Sequence, residues 1–247
     1  MKFGISFDFW NTLYGNGAEN ERAKKRKIFY YKIVNKYSEI SMDSVEKAFT
    51  ISTEYFIQQW RKKFRTPTTS ERLNLMNETL QIQMLSEDAE NIIHYFGQLI
   101  FEIPPTELTN LKQSVEELAS RYSLGIISDT GYISGRYIRQ FLKKENMLKY
   151  FSSCVFSDEQ KNSKPHKSVF ELTSNNLNVP ISNLIHIGDL ERTDIEGAAN
   201  AGCKSVLYIG APWENGKPTK ADSVINDHCF LAGEIEKLVW KIINTQR

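Results

Sequence analysis

Polar and apolar positions along the chain follow two rhythms. Short apolar runs of strand length close on polar residues at Phe3 to Asp8, Leu124 to Ser128, Val155 to Ser157 and Leu184 to Asp189, and a further run covers Ser205 to Ile209. Between the later runs lie helix-period stretches through Val115 and Leu118, Ile138 and Phe141, Val169 and Phe170, and the small-residue segment Gly197 to Gly202. Strand alternating with helix predicts a parallel sheet wrapped by helices.

The segment from about 16 to 102 keeps only the helical rhythm. Tyr30, Val34 and Tyr37 make one stripe with Phe29 and Ile33, and Val45, Phe49, Ser52, Phe56 and Trp60 make a second. A third helix carries Leu73, Met76, Leu80 and Met84 behind a Thr68 and Glu71 capping-box spacing, and a fourth carries Ile92, Ile93, Phe96 and Leu99 behind Ser86 as its expected cap. These aromatic and Met stripes read as core faces, and the basic run Arg22 to Lys27 reads as a solvated face. Pro104-Pro105 marks the exit, because proline cannot continue a helix interior. The expected division is a core of residues 1–15 and 103–247 with residues 16–102 inserted.

At 247 residues the chain can bury a sizeable core. Its formal charge of +1 gives no long-range field to recruit nucleic acid or an anionic membrane, so neither partner is expected. No stretch approaches membrane-spanning length, and the first strand begins with no preceding apolar signal core, which makes a cytoplasmic location the expectation. The three cysteines, Cys154, Cys203 and Cys229, lack metal-type spacing.

The chemistry gathers at the strand ends. Phe3-Gly-Ile-Ser-Phe-Asp-Phe-Trp-Asn-Thr-Leu13 delivers Asp8 to the carboxyl edge of a sheet, where open α/β folds place ligands. Taken alone, such an Asp is as readily a turn former or helix cap. Three further segments change its weight: Ser128 closes one apolar run, Lys164 precedes Pro165 after another, and Gly188-Asp189 is followed by Asp194. Two carboxylates five positions apart on a loop entering a helix suit a hard, oxygen-seeking cation.

In the order Asp8, Ser128, Lys164 and Gly188-Asp189 to Asp194, the chain resembles the haloacid dehalogenase superfamily, most of whose members are phosphatases. The resemblance covers the start of the chain and about residues 103 to 230. It implies a Rossmann-like, doubly wound α/β core with an inserted all-helical cap, and a hydrolase acting on a small phosphorylated molecule through an aspartyl-phosphate intermediate. By the same resemblance Asp8, Ser128 and Lys164 are catalytic. The phosphoryl group is held by Ser128, Lys164 and the main chain at Phe9, Trp10 and Asp129, and Mg2+ by Asp8, the Trp10 carbonyl, Asp189 and Asp194. An oxygen-only ligand set favours magnesium over zinc.

Trp10 departs from the pattern, since phosphatases of this family carry a second Asp there as general acid and base. Indole has no titratable proton to exchange. Relatives that cleave carbon–halogen or carbon–phosphorus bonds also lack that Asp, having Tyr or Ala instead. Two alternatives therefore stand beside the phosphatase: a phosphate-binding or regulatory protein of weak turnover, and carbon–halogen hydrolysis, against which the retained Asp189 and Asp194 argue. His186 reads as a hydrogen-bonded histidine of an apolar strand, His166 as a solvated loop residue, and the Asp129 carboxylate has no assigned role.

Overall fold

A computed structural model describes residues 1–211 and 218–245. In chain order the elements are β1 (Gly4–Phe7), β2 (Tyr14–Gly15), α1 (Glu19–Val34), α2 (Met42–Lys63), α3 (Thr69–Thr79), α4 (Ser86–Glu102), β3 (Thr106–Glu107), α5 (Leu111–Ala119), β4 (Ser123–Ser128), α6 (Gly135–Lys144), β5 (Phe151–Phe156), α7 (Lys167–Leu177), β6 (Leu184–Gly188), α8 (Glu196–Ala201), β7 (Lys204–Tyr208), β8 (Ser223–Ile225) and α9 (Leu231–Thr245).

Six strands form one sheet in the order β5-β4-β1-β6-β7-β8, every pair parallel. Phe7 is level with Ile126 on one side and Ile187 on the other, so β1, β4 and β6 end together. The order reverses at β1, and the crevice beyond a reversal point is where such sheets bind ligands. Strand β1 is buried throughout, which accounts for its nearly continuous apolar sequence. Helices cover both faces. Ile126 joins the cluster of Phe7, Leu111, Ile138 and Leu231, while its neighbour Ile127 joins Val169, Phe170 and Ala198 on the other face.

Helices α1 to α4 pack their stripes into a separate cluster of Tyr30, Val34, Val45, Phe49, Leu73, Met76, Ile92 and Phe96, forming the inserted helical cap. Local chemistry sets their ends: Ser41 accepts from the Ser44 amide, and the Thr68–Glu71 capping box closes in both directions. At α4 the cap is Leu85 and Ser86 makes no capping bond, so Glu87 and Asp88 in the first turn supply the favourable charge instead. The chain enters and leaves this insert through β2 and β3, an antiparallel ribbon pairing Tyr14 with Glu107 and Gly15 with Thr106. No described helix is long and apolar enough to cross a membrane.

Candidate active site

Four polar side chains that the sequence scatters over nearly the whole chain meet at the carboxyl ends of β1 and β6. Asp8 follows β1 directly, its amide bonded to the Ile187 carbonyl at 2.8 Å, and Asp189 follows β6. Lys164 Nζ lies 2.9 Å from Asp8 Oδ1 and 2.6 Å from Asp194 Oδ1. An unpaired buried ammonium costs several kcal/mol, so a lysine only 1 % exposed is held by these carboxylates. Burial alone would lower its pKa, but Asp194, Asp8 and Asp129 drive it well above the ordinary lysine range.

Asp194 is fully buried and satisfied on both oxygens. Oδ1 takes Lys164 Nζ and His186 Nε2, the latter at 3.0 Å, while Oδ2 accepts from the Leu190 amide at 3.1 Å and the Thr193 hydroxyl at 3.0 Å. Burial opposes its charge, yet Lys164 and His186 outweigh burial and hold the carboxyl below the usual range. His186 is the buried, hydrogen-bonded strand histidine that the sequence suggests, bridging Asp194 and the Ser6 hydroxyl, with its pKa lowered by burial. Asp8 and Asp189 differ from Asp194. Burial raises both, and neighbouring acids raise Asp189 well above the carboxylate range. Oxygen atoms of Asp8, Asp189 and Asp194 lie within 4.8 Å of one another.

A hard divalent cation fits this donor set: close carboxylate oxygens, two acids whose charge burial disfavours, and no thiol or free imidazole among them. Both Asp194 oxygens already take protein donors, so beside any part in a cation site Asp194 fixes Lys164 and the loop; Asp8, with one oxygen on Lys164, and Asp189 are the other carboxylates of the cluster.

Ser128 ends β4 with its hydroxyl buried beside Asp8, whose charge it favours, and it makes no other side-chain hydrogen bond among the described residues. The amides of Phe9 and Asp129 directly follow Asp8 and Ser128 in the chain, which places main-chain donors next to both side chains. Phe9 itself is a core residue, stacked on Tyr14 at 5.3 Å. The Asp129 carboxylate ties core to cap: Oδ1 accepts from the Lys164 amide at 3.1 Å and Oδ2 from Trp60 Nε1 at 2.6 Å. Burial raises its pKa to about 6 against the pull of Lys164 and Trp60. The far face of Trp60 meets the Arg192 guanidinium at 4.1 Å, so a cap residue sits clamped between two core loops.

Trp10 lies edge-on to Phe9 at 4.8 Å, with the Arg22 guanidinium 5.4 Å from its ring. Here the structure corrects the sequence. Arg22 and Arg26 are 0 % and 1 % exposed, whereas the basic run as a whole reads as solvated; its lysines do face outward, Lys24 exposed, Lys25 paired with Glu102 and Lys27 with Glu46. The loop lysine's neighbour His166 is also not simply solvated, since its ring accepts from the Ser168 amide as the cap of α7. Tyr132, which the sequence does not single out, leaves the loop after Ser128 and plugs into the cap cluster against Phe96 and Phe49.

Between cap and core lies a cavity of about 600 Å³. Asp8, Lys164 and Asp189 stand at its core end, Trp10 and Asp129 beside them, and Arg26, Phe56, Trp60 and Arg72 on its cap wall.

Residues 33–208 match the model of the family described as haloacid dehalogenase-like hydrolase, well over half of the chain, and the chain belongs to that family. The matched stretch starts beyond Asp8, so the place of Asp8 rests on geometry. Among curated relatives, a 60-residue stretch is 38% identical to human N-acylneuraminate-9-phosphatase, covering 24% of each chain. An 88-residue stretch is 32% identical to phosphoglycolate phosphatase of Salmonella typhi, covering 36% of this chain and 33% of that one. Phosphorylated carbohydrates phosphatase of Thermotoga maritima is 25% identical over 60% of this chain and 67% of its own. The chain thus aligns with only a quarter to a third of the first two. Similar solved structures include a magnesium-bound HAD-hydrolase of Bacillus subtilis, 15% identical with a TM-score of 0.65 over 95% of this chain and 98% of that one. A 2-haloacid dehalogenase of Pseudomonas syringae is 20% identical with a TM-score of 0.68 over 96% and 99%. At those identities the likeness is one of fold.

Proposed function

We propose that the chain is a magnesium-dependent phosphohydrolase acting on a small phosphorylated metabolite, with Asp8 as nucleophile. The observation that carries this reading is the Lys164 ammonium seated between Asp8 and Asp194, with the Asp189 carboxylate in the same cluster. Three phosphatase-named relatives support the same reaction class.

In this reading an Asp8 oxygen attacks phosphorus as the bond to the leaving oxygen breaks, giving an aspartyl phosphate; water then attacks phosphorus and regenerates the carboxylate. Lys164 lowers the repulsion between Asp8 and the phosphoryl oxygens, and the Ser128 hydroxyl with the Phe9 and Asp129 amides receives those oxygens. Magnesium held by Asp8, Asp189 and the Trp10 carbonyl would supply further neutralisation of that charge. The leaving oxygen needs a proton that Trp10 cannot give, so it comes from the substrate or from water. Carbon–halogen hydrolysis fits less well, because it gives the Asp189 carboxylate nothing to do. A phosphate-binding protein of weak turnover is the second reading, and Trp10 is the observation in its favour. Residues 16–102 act in this scheme as a lid hinged at the β2–β3 ribbon.

The test is phosphate release from a panel of phosphomonoesters with and without magnesium. Release that needs the metal and disappears in Asp8→Asn supports the hydrolase; magnesium-dependent binding of phosphate analogues with no release from any ester leaves the binding protein.

A further inference from the structure

The cap wall of the cavity carries more positive charge than the protein neutralises. Arg22, Arg26 and Arg72 are all buried, at 0 %, 1 % and 4 % exposure. Among the described residues one carboxylate, Glu19, pairs with them: it takes Arg22 Nε at 3.2 Å and Arg26 Nη2. Arg22 is then consumed by the Ile103 carbonyl and Asn16. Arg26 keeps a buried Nε with no hydrogen-bond partner among the described residues.

Arg72 has no ion pair among the described residues. Its Nε donates to the Ser52 hydroxyl at 3.1 Å and its Nη2 lies 3.4 Å from the Thr53 hydroxyl, while its guanidinium stacks on Tyr132 at 3.5 Å. Arg26 approaches Tyr132 at 4.9 Å. Glu54, another acid on this wall, is exposed and pairs with none of the three. A guanidinium cannot shed its proton to escape burial, as a lysine can, so the uncompensated charge persists in the folded chain. Both Arg26 and Arg72 line the same cavity as Asp8, on the wall formed by the cap.

We infer that Arg72 and Arg26 form a second anion subsite, so that the substrate is a phosphomonoester with a carboxylate or second phosphate at the end remote from the transferring group. The inference rests on the phosphohydrolase reading for the transferring end only; the subsite itself is a matter of binding. Planar five-donor guanidiniums suit either oxyanion, and Tyr132, Phe56 and Trp60 line the same cavity as apolar surroundings for the body of the ligand.

Calorimetry with magnesium and three matched, non-hydrolysable ligands separates the claims: propylphosphonate, 3-phosphonopropionate and 1,3-propanediphosphonate. The folded wild-type protein should bind at least one of the doubly anionic ligands about tenfold or more tightly than propylphosphonate, the size of effect a charge-assisted hydrogen bond gives. Which of the two gains identifies the second group as carboxylate or phosphate. Arg72→Met should erase the preference while leaving propylphosphonate within about twofold, Arg72→Lys should restore part of it, and Arg26→Gln should weaken it in a chain whose Arg72 is intact. Equal affinity for all three ligands, binding of none, or a preference that survives both Arg72→Met and Arg26→Gln would overturn the subsite. Because no turnover is read, a catalytically inert protein that keeps the preference would sink the phosphohydrolase reading and leave the subsite standing.

Discussion

Gly188 and Asp194 occupy one another's space: a Cβ on Gly188 would fall 2.2 Å from Asp194 Cγ, well inside any real contact. The glycine closing β6 is there for the carboxylate, and the carboxylate positions Lys164. Gly188→Ala should therefore push Asp194 off Lys164. We expect a loss of about 1–3 kcal/mol of stability, the usual range for overpacking a tight core, and a large fall in any phosphate release. Urea unfolding and a magnesium titration check this, and an alanine variant of wild-type stability would show that the loop yields freely.

A second glycine holds cap to core. A Cβ on Gly97 of α4 would meet the Tyr137 ring of α6 at 2.1 Å, and the Tyr137 hydroxyl lies 2.9 Å from His94 Nδ1. Gly97→Ala and Tyr137→Ala should each destabilise, but the double variant should be more stable than their sum, with a coupling of about 0.5–3 kcal/mol. Strict additivity in a double-mutant cycle would mean the helices are not in contact in solution.

Asp129 gives a pH dependence with a definite sign. Burial lifts its pKa in the folded chain to about 6, above the ordinary aspartate value of 3.8. Between those values the folded protein holds a proton that the unfolded chain has released, so this residue's contribution to stability is full below about pH 4 and is lost as pH rises to about 6. At roughly 1.4 kcal/mol per unit, and allowing for the partial exposure of the residue, the loss is about 1–3 kcal/mol. Relative to Asp129→Asn, wild-type stability should fall across that window in denaturant titrations; parallel profiles would remove the assignment.

Trp10 should make turnover depend steeply on the leaving group. With no acid at position 10, phosphate esters of acidic phenols should be cleaved far faster than alkyl phosphates of similar size. Trp10→Asp should narrow that gap by less than the 10²–10⁴ that general acids typically contribute, because Arg22, 5.4 Å from the indole ring, is positioned to capture a new carboxylate. A flat dependence on leaving-group acidity in the wild type would show that another group supplies the proton.

The sheet and the polar cluster were legible because strand ends announce themselves: an apolar run stopping at Asp8, Ser128 or Asp189 is visible without coordinates. Strand order was not legible, since nothing local says that β1 lies between β4 and β6. The cap wall was misread for a different reason. Arg22 and Arg26 look like a solvated charge run, yet with Tyr30 and Ile33 they continue one helical stripe at spacings of four, four and three, and that stripe is buried. Periodicity held the signal, and residue type hid it. Tyr132 and the Asp129–Trp60 clamp depend on the docking of cap on core, which no window of sequence contains.

The central claim is that Asp8 carries the phosphoryl group, and chemical trapping reads that directly. The protein is mixed with magnesium and the fastest phosphate ester found, quenched during turnover, treated with borohydride and digested for peptide mass spectrometry. Reduction of an aspartyl phosphate converts the residue to homoserine, so the account predicts homoserine at position 8, dependent on substrate and magnesium and absent in Asp8→Asn. Sustained phosphate release with position 8 unmodified, or with the label on another acid such as Asp189, would contradict it.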